Sequence, residues 1–504
     1  MRPRARAGAG RAGAKAVAKA AKRWLILGHR WLGIATGLFF ALWIGSGLVM
    51  LCVPFPALTE AERLARLAPV AWDDVAVAPD AALAAAGLRP PRAAAIGAFD
   101  LEMRGDEPVY RFAPPEGRIT VSARTAMRLG PIGPDAAVRL AGGEPGRDGV
   151  EAVERDQWTV TARYDPLRPF HKVLLADAAG TALYVSRATG EIALDTTRFE
   201  RGWNWAGAVV HWIYPTVLRA RPALWHIVVV WLSGIAMLGA ASGLALGILR
   251  LRPRRRYPGG RATPYRGVAR WHHLFGLAGG VGLTTFIVSG WLSMNPNEWF
   301  SSPVPPPALL AAYAGEGGPV GLAAAALPRF ADPGTKALRF ARLGGRWLVV
   351  ALGPDGPRAT GADGAPGPDE AAIATAAATA VASAIPGARP RSIERLTEYD
   401  AYWYPRGDAP PLPVLRLRFD DGAATWLHVD PRDGRVLSRL DRSGRANRWL
   451  FDALHRLDLP VLTLHRPARE AAQWVLNLLA GVVALTGIVV GWRRLRRRTG
   501  RRVA

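Results

Sequence analysis

Four of the nine histidines in this 504-residue chain fall into two matched pairs. His29 recurs 243 positions later as His272, and His211 recurs 244 positions later as His455. A lone imidazole at a membrane boundary is ordinarily just an amphipathic ring among headgroups, and the pairing is what changes its meaning. In a duplicated chain equivalent helices face one another. Two histidines at one depth on facing helices then present axial ligands to the two faces of a planar macrocycle. The expected chemistry is electron exchange at iron, with one haem b between His29 and His272 and a second between His211 and His455. Cys52 is the single cysteine, so no cysteine pair followed by histidine exists for covalent attachment, and any haem is held non-covalently.

His226 and His273 are the reserve ligands. His273 adjoins His272 but points about 100° away on a helix, and His226 lies at the start of the second apolar stretch. His465 reads as a shifted counterpart of His226, while His171 and His428 read as ordinary structural residues. His29 and His272 begin the first and third apolar runs at the cytoplasmic face and form the inner pair, with His211 and His455 outside. Gly28, Gly33, Gly276 and Gly279 lie near that inner pair, where a missing side chain lets a porphyrin or a neighbouring helix approach. A metal-ion or proton-driven transporter needs ionisable or polar groups at the bilayer midplane, and no charged residue interrupts any of the apolar stretches. The chain has no P-loop, no HExxH and no GxGxxG opening a helix after a strand, so neither nucleotide nor flavin binding is visible.

The histidines belong to a longer internal repeat. An offset of 243 pairs Gly33 with Gly276, Ile44 with Ile287, Ser46 with Ser289 and Gly47 with Gly290. An offset of 244 pairs Pro169 with Pro413, Asp177 with Asp421, Gly190 with Gly434, Trp205 with Trp449, Gly243 with Gly487 and Gly247 with Gly491. Both halves enter the membrane from the same side, so the repeats are parallel and their symmetry axis runs along the membrane normal.

Four uncharged apolar runs, 31–59, 222–249, 271–297 and 471–492, reach the roughly 20 residues that a helix needs to cross hydrocarbon. The net charge of +25 is concentrated in 2–23, 250–270 and 493–502, which hold 8, 8 and 7 Lys or Arg and no Asp or Glu. Such segments stay in the cytoplasm and meet anionic lipid headgroups, and the near-neutral remainder argues against a nucleic-acid surface. The expected organisation is a cytoplasmic tail 1–23, spans at 24–53, 222–249, 271–297 and 471–492, extracytoplasmic domains 54–221 and 298–470, a cytoplasmic loop 250–270 and a tail 493–504. The first span is an uncleaved anchor. Trp24, Trp225, Trp299, Trp474 and Trp492 read as interfacial anchors, and Cys52 as an inert boundary cysteine.

The segments between spans alternate apolar and polar residues into glycine-containing turns at Thr181–Ile192 and Thr425–Leu437, which predicts two β-hairpins. The alanine-rich run Glu370–Ile385 predicts a helix. The fold class is therefore an α-helical membrane protein with four transmembrane helices in two parallel tandem repeats, carrying two α+β extracytoplasmic domains.

HRWLGIATGLFFALWIGSGLVM (29–50), YVSRATGEI, HVDPRDGRV, LHRLDLP (454–460) and the basic tail after TGIVVGWRR together resemble the PepSY-associated transmembrane helix proteins of bacterial inner membranes, over nearly the whole chain. The resemblance implies PepSY-like periplasmic domains and a link to iron acquisition, with some members acting as ferric-siderophore reductases that hold haem between their helices. Ligand roles carried over on that basis fall on His29, His272, His211 and His455, with His226 in reserve. Some relatives carry a fused flavin reductase domain that this sequence lacks, so the implied donor is a separate cytoplasmic electron donor protein or a membrane quinol. The basic loop 250–270 would steer an acidic carrier. The implied substrate is a ferric siderophore or similar chelate, which Arg406 and the aromatic group Tyr402, Trp403 and Tyr404 would contact. The alternative is a non-enzymatic PepSY scaffold that binds or restrains a protein partner such as a peptidase.

Reporter fusions after Leu251 and at the C-terminus are expected to read as cytoplasmic, and fusions near Asp177 and Asp421 as external. A cytoplasmic signal at Asp177 overturns the four-span organisation.

Overall fold

The computed structural model describes residues 4–88, 97–115, 117–254, 256–407 and 409–499. The chain forms two compact units. One comprises the chain through Phe55, Gly202–Trp299 and the chain from Asn447, and the other comprises Pro56–Arg201 with Phe300–Ala446.

The first unit is helical. Three of its helices contain stretches long and apolar enough to cross a membrane, Ala16–Cys52, Pro222–Arg250 and Arg466–Arg496. A bent pair, Val268–Ala278 and Gly280–Ser293, makes a fourth if it is one span. Trp231, Leu238, Val281, Leu478 and Leu485 stand exposed on these helices, a surface that suits lipid. Phe40, Ile44, Ala236, Phe286, Ile287, Ala480 and Val483 pack in the core between them.

Two of the spans differ from their sequence expectation. The first helix runs Arg4–Cys52 and stops there, because Pro54 has no N–H to donate and disfavours helical geometry at Val53. Thr59, expected at the end of that apolar run, instead caps a separate short helix, Glu60–Arg66, in a reciprocal capping box with Glu62. The third apolar run is not one straight helix but a pair of helices bent by 63° at Gly279. A Cβ at Gly279 would lie 3.0 Å from the Leu479 carbonyl carbon, so the bend sits where two helix backbones touch.

The second unit is built on antiparallel sheets. Strands β1 (Ala98–Arg104), β2 (Glu107–Phe112) and β3 (Ile119–Ser122) come from the first segment. Strands β8 (Ala337–Leu343), β9 (Arg346–Gly353) and β10 (Gly356–Gly361) come from the second. They join in one six-stranded sheet ordered β10-β9-β8-β1-β2-β3. The segments expected to be two domains are therefore parts of one body. The seam is nearly two-fold symmetric. Leu101 lies opposite Leu338 and Phe99 opposite Phe340, with the two Phe rings stacked at 4.8 Å, and Arg339 reaches Asp100 at 2.8 Å.

Each segment also carries its own four-stranded sheet. The first is β4 (Gly149–Val153), β5 (Phe170–Leu174), β6 (Ala182–Ser186) and β7 (Ile192–Thr196). The second is β11 (Pro390–Leu396), β12 (Val414–Phe419), β13 (Trp426–Val429) and β14 (Val436–Leu440). Both predicted hairpins are present as β6–β7 and β13–β14, turning on Gly190 and Gly434, whose φ of 76° and 72° suit glycine. The register shifts at Tyr184/Val185 and at His428/Val429, the same place in each repeat. The alanine-rich helix runs Glu370–Ala384, with Asp369 accepting from the Ala372 N–H at 2.7 Å.

Leu101→Ala and Leu338→Ala, both fully buried at the seam, are each expected to destabilise the full chain by about 2–5 kcal/mol. Because the seam is shared, Leu101→Ala should also speed amide exchange in β9, measured by mass spectrometry. Faster exchange confined to the first segment would mean that the segments open independently.

Candidate functional site

Each of the four repeated histidines is held in the same way. In the first helix the His29 ring Nδ1 meets the Gly239 carbonyl at 3.2 Å, with the Ser242 hydroxyl at 3.4 Å. Its repeat mate His272 meets the Val483 carbonyl at 3.1 Å and the Thr486 hydroxyl at 3.2 Å. His211 meets the Trp43 carbonyl at 3.1 Å and Ser46 at 3.2 Å. His455 meets the Phe286 carbonyl at 3.0 Å and Ser289 at 3.1 Å. Every hydroxyl in turn donates to the carbonyl three residues before it.

The residue after each hydroxyl is glycine, and the imidazole lies on it. A Cβ at Gly243 would stand 2.6 Å from His29 Cε1, at Gly487 3.1 Å from His272 Cε1, at Gly47 3.4 Å from His211 Cε1, and at Gly290 3.3 Å from His455 Cε1. The four docking stretches read GAASG, VALTG, WIGSG and FIVSG. Carbonyl, hydroxyl and glycine thus fall at positions one, four and five of each, on one face of a helix turn.

A carbonyl only accepts, so each Nδ1 carries the proton and donates, which leaves Nε2 of a neutral ring with its lone pair. That is the arrangement in which a second partner fixes the tautomer and orientation of a metal-binding histidine. Burial holds His211 and His455 below the ordinary imidazole range, and burial together with the neighbouring His211 pushes His455 down to about 4.

The structure brings the four together as two pairs. The ring centroids of His29 and His272 are 6.3 Å apart, and those of His211 and His455 are 6.1 Å apart. Two metal–nitrogen bonds of about 2.0 Å each, extended by the half-width of each ring, span about 6 Å between centroids. The two imidazoles of each pair are therefore spaced as residues that would hold a haem iron between them are. Along the first helix seventeen residues separate His29 from Ser46, which docks His211, a rise of about 25 Å against a hydrocarbon thickness of about 30 Å.

His211 and His455 each end a helix that passes through a π-helical turn, Trp205–Val209 and Arg448–Ala453. Such turns widen a helix by one residue and are common at functional sites. Phe451 stacks on His455 at 5.3 Å.

The reserve histidines are tied the other way round. His226 Nε2 meets the Met294 carbonyl at 2.8 Å, and His273 Nε2 meets the Gly247 carbonyl at 2.9 Å. Their Nε2 atoms are thus already used, while Nδ1 of His273 is buried without a hydrogen-bond partner. His171 and His428 are buried on strands: His171 Nε2 reaches the Ile132 carbonyl at 3.1 Å, and Arg416 donates to His428 Nε2 at 2.9 Å. The aromatic group expected to contact an anionic chelate is largely structural. Trp403 and Tyr404 are buried, Trp403 stacks on His428 at 4.8 Å, and Arg406 lies over the Tyr404 ring. Nor do Gly28, Gly33 and Gly276 pack against anything within 4 Å of a built Cβ.

Sequence reasoning found the histidines but missed the groups that hold them. The signal was present, since Ser46–Gly47 repeats as Ser289–Gly290, and Ser242–Gly243 reappears as Thr486–Gly487. In comparison with known proteins, the chain matches no family model, and no curated protein matches it.

Proposed function

We propose that this chain is a haem-carrying electron-transfer protein of the bacterial inner membrane. It takes electrons on the cytoplasmic side and delivers them outside to a ferric chelate of the siderophore type, as the resemblance to PepSY-associated membrane proteins implies. The observation that carries the proposal is the fourfold identical docking of His29, His272, His211 and His455, each with Nδ1 on a carbonyl and Nε2 keeping its lone pair, in two pairs whose rings lie 6.3 and 6.1 Å apart. A histidine serving only as packing has no need of a matched partner at ligand spacing.

Haem b, when bound, supplies reversible one-electron exchange at iron. The chain's part is orientation and exclusion of water. Ser242, Thr486, Ser46 and Ser289 hold the imidazoles, the four glycines let the helices come close, and Phe40, Ile44, Phe286, Ile287 and Val483 keep the interior apolar. A dry interior with fixed dipoles tunes a redox potential. Oxygen-rich chelators hold Fe(III) far better than Fe(II), so one electron loosens the complex. The loop between the second and third spans is short and basic, so the donor in this proposal is a separate acidic protein or a membrane quinol.

Purified protein is expected to show a b-type signal in a dithionite-reduced minus oxidised spectrum. His29→Ala and His272→Ala should each remove the same fraction of the haem, and the double variant no more than either. The same holds for His211 and His455, while His226→Ala leaves both. Gly243→Val, which drives a side chain into the His29 ring, should lower haem content at the inner site alone. Losses that add across a pair would mean that its members serve different cofactors. A protein with no haem signal would favour the scaffold function, and reduced haem indifferent to ferric chelates would remove iron as the acceptor.

A further inference from the structure

The sheet unit contains a cleft of about 400 Å³, large enough for a small molecule. It lies between the helix Glu60–Arg66, the β1–β2 turn, the end of the helix Pro134–Leu140 and the β6–β7 turn. Five arginines line it, Arg63, Arg66, Arg104, Arg111 and Arg139. Three are neutralised. Arg63 meets Glu60 at 2.9 Å and Glu102 at 2.5 Å, Arg111 is also paired with Glu102 and lies 3.9 Å from Glu191, and Arg66 meets Asp195 at 2.6 Å. Arg104 and Arg139 have no ion pair among the described residues, and Nη1 of Arg104 is buried with no hydrogen-bond partner.

An N–H buried without an acceptor loses its water and gains nothing in return, a penalty that is larger for a charged group. Burial and then repulsion from Arg111 hold the Arg104 guanidinium below the ordinary arginine range. The fold does not need a charge there, as the internal repeat shows. Arg104 ends β1 and packs against the turn glycine Gly190, its Cδ 2.9 Å from where a Cβ would stand. In the second repeat the residue that ends β8 and packs against the matching glycine, Gly434, is Leu343, a buried core residue. The corresponding hollow there is lined by Ala312, Leu348, Ala372 and Ala376 and holds one arginine, Arg346. One copy of the duplicated fold thus keeps a leucine at this place, while the other carries an unpaired arginine at the wall of an arginine-lined cleft.

We propose that this cleft is a binding site for a small oxyanion, a carboxylate or a phosphate, recognised by Arg104 with Arg139 at the rim. A guanidinium offers parallel N–H donors that match either group, and Arg104, which has no ion pair among the described residues, lines the cleft where such a group would sit. Glu102 is fully engaged by Arg63 and Arg111 and does not oppose the ligand's charge. Asp106, on the exposed turn after β1, limits the charge the cleft takes and favours a compact ligand. Nothing in this site depends on the histidines, so it stands or falls separately from the function proposed above.

The test is calorimetric titration of the full chain in detergent at low ionic strength, with citrate and separately with inorganic phosphate. At least one is expected to bind with a millimolar or tighter dissociation constant. Arg104→Leu, which installs the residue of the second repeat, should weaken binding by about tenfold or more while the ligand-free protein unfolds at no lower a temperature. Arg139→Ala should weaken it by a smaller factor, and Arg147→Ala, an exposed arginine outside the cleft, should leave it unchanged. Binding of citrate alone identifies a carboxylate ligand, of phosphate alone a phosphate ligand, and of both a general oxyanion site. Failure of both probes to bind overturns the proposal. So does wild-type affinity in Arg104→Leu or, if that variant does not fold, in Arg139→Ala.

Discussion

A neutral imidazole buried between helices carries one donor and one acceptor, and neither tolerates being left in an apolar interior without a partner. In the helical unit the backbone satisfies the Nδ1 donor of each ring, and Nε2 keeps its lone pair. A carbonyl within a helix already accepts from the N–H four residues on, yet it has a second lone pair, and a hydroxyl three residues later steadies that side of the turn. The glycine after the hydroxyl makes room for the imidazole, most strictly at Gly243, where a Cβ would stand 2.6 Å from the His29 ring. The histidine tautomer follows from the one hydrogen bond to the carbonyl. Its fourfold repetition gives the unit its two facing pairs.

Duplication plays a different part in the sheet unit. There the two copies do not merely resemble each other but complete each other, since β1 and β8 pair antiparallel and each covers the edge the other would expose. Leu101, Phe99, Leu338 and Phe340 belong to one core with Trp347 and Val349, drawn from both segments. With the shared framework fixed, the copies diverge at the periphery. The seat of Leu343 in one is the seat of Arg104 in the other, and the turn glycine behind both is unchanged.

Much of this was legible in the sequence, because local patterns report local structure. The hairpins at Thr181–Ile192 and Thr425–Leu437 show in alternation and a turn glycine, the helix at Glu370–Ala384 in composition, and the long apolar helices in length and lack of charge. The histidine pairs show because the repeat offset is nearly constant. What escaped depends on neighbours distant in sequence. The bend at Gly279 falls where Leu479, some two hundred residues away, comes against the helix, and the β1–β8 pairing carries no local mark at all. Tyr402, Trp403 and Tyr404 read as contacts for a chelate, because nothing nearby in sequence announces that His428 and Trp426 await them. The Ser–Gly and Thr–Gly steps lay in plain view, but inside apolar helices small residues are common enough to pass as packing.

The seam between β1 and β8 sets a schedule for biogenesis. The end of β1 and the start of β8 are separated by about 230 residues, which at roughly 5–20 residues per second takes some 10–50 s to synthesise. Throughout that time β1 has β2 on one side and an open edge on the other, while the apolar helix Pro222–Arg250 and the bent pair after it are made before its partner arrives. An unpaired edge in the middle of a future sheet is a template for pairing with the wrong chain. The nascent protein therefore depends on insertion proceeding without pause, or on a holdase that shields the β1 edge, more than a chain of two self-contained domains would.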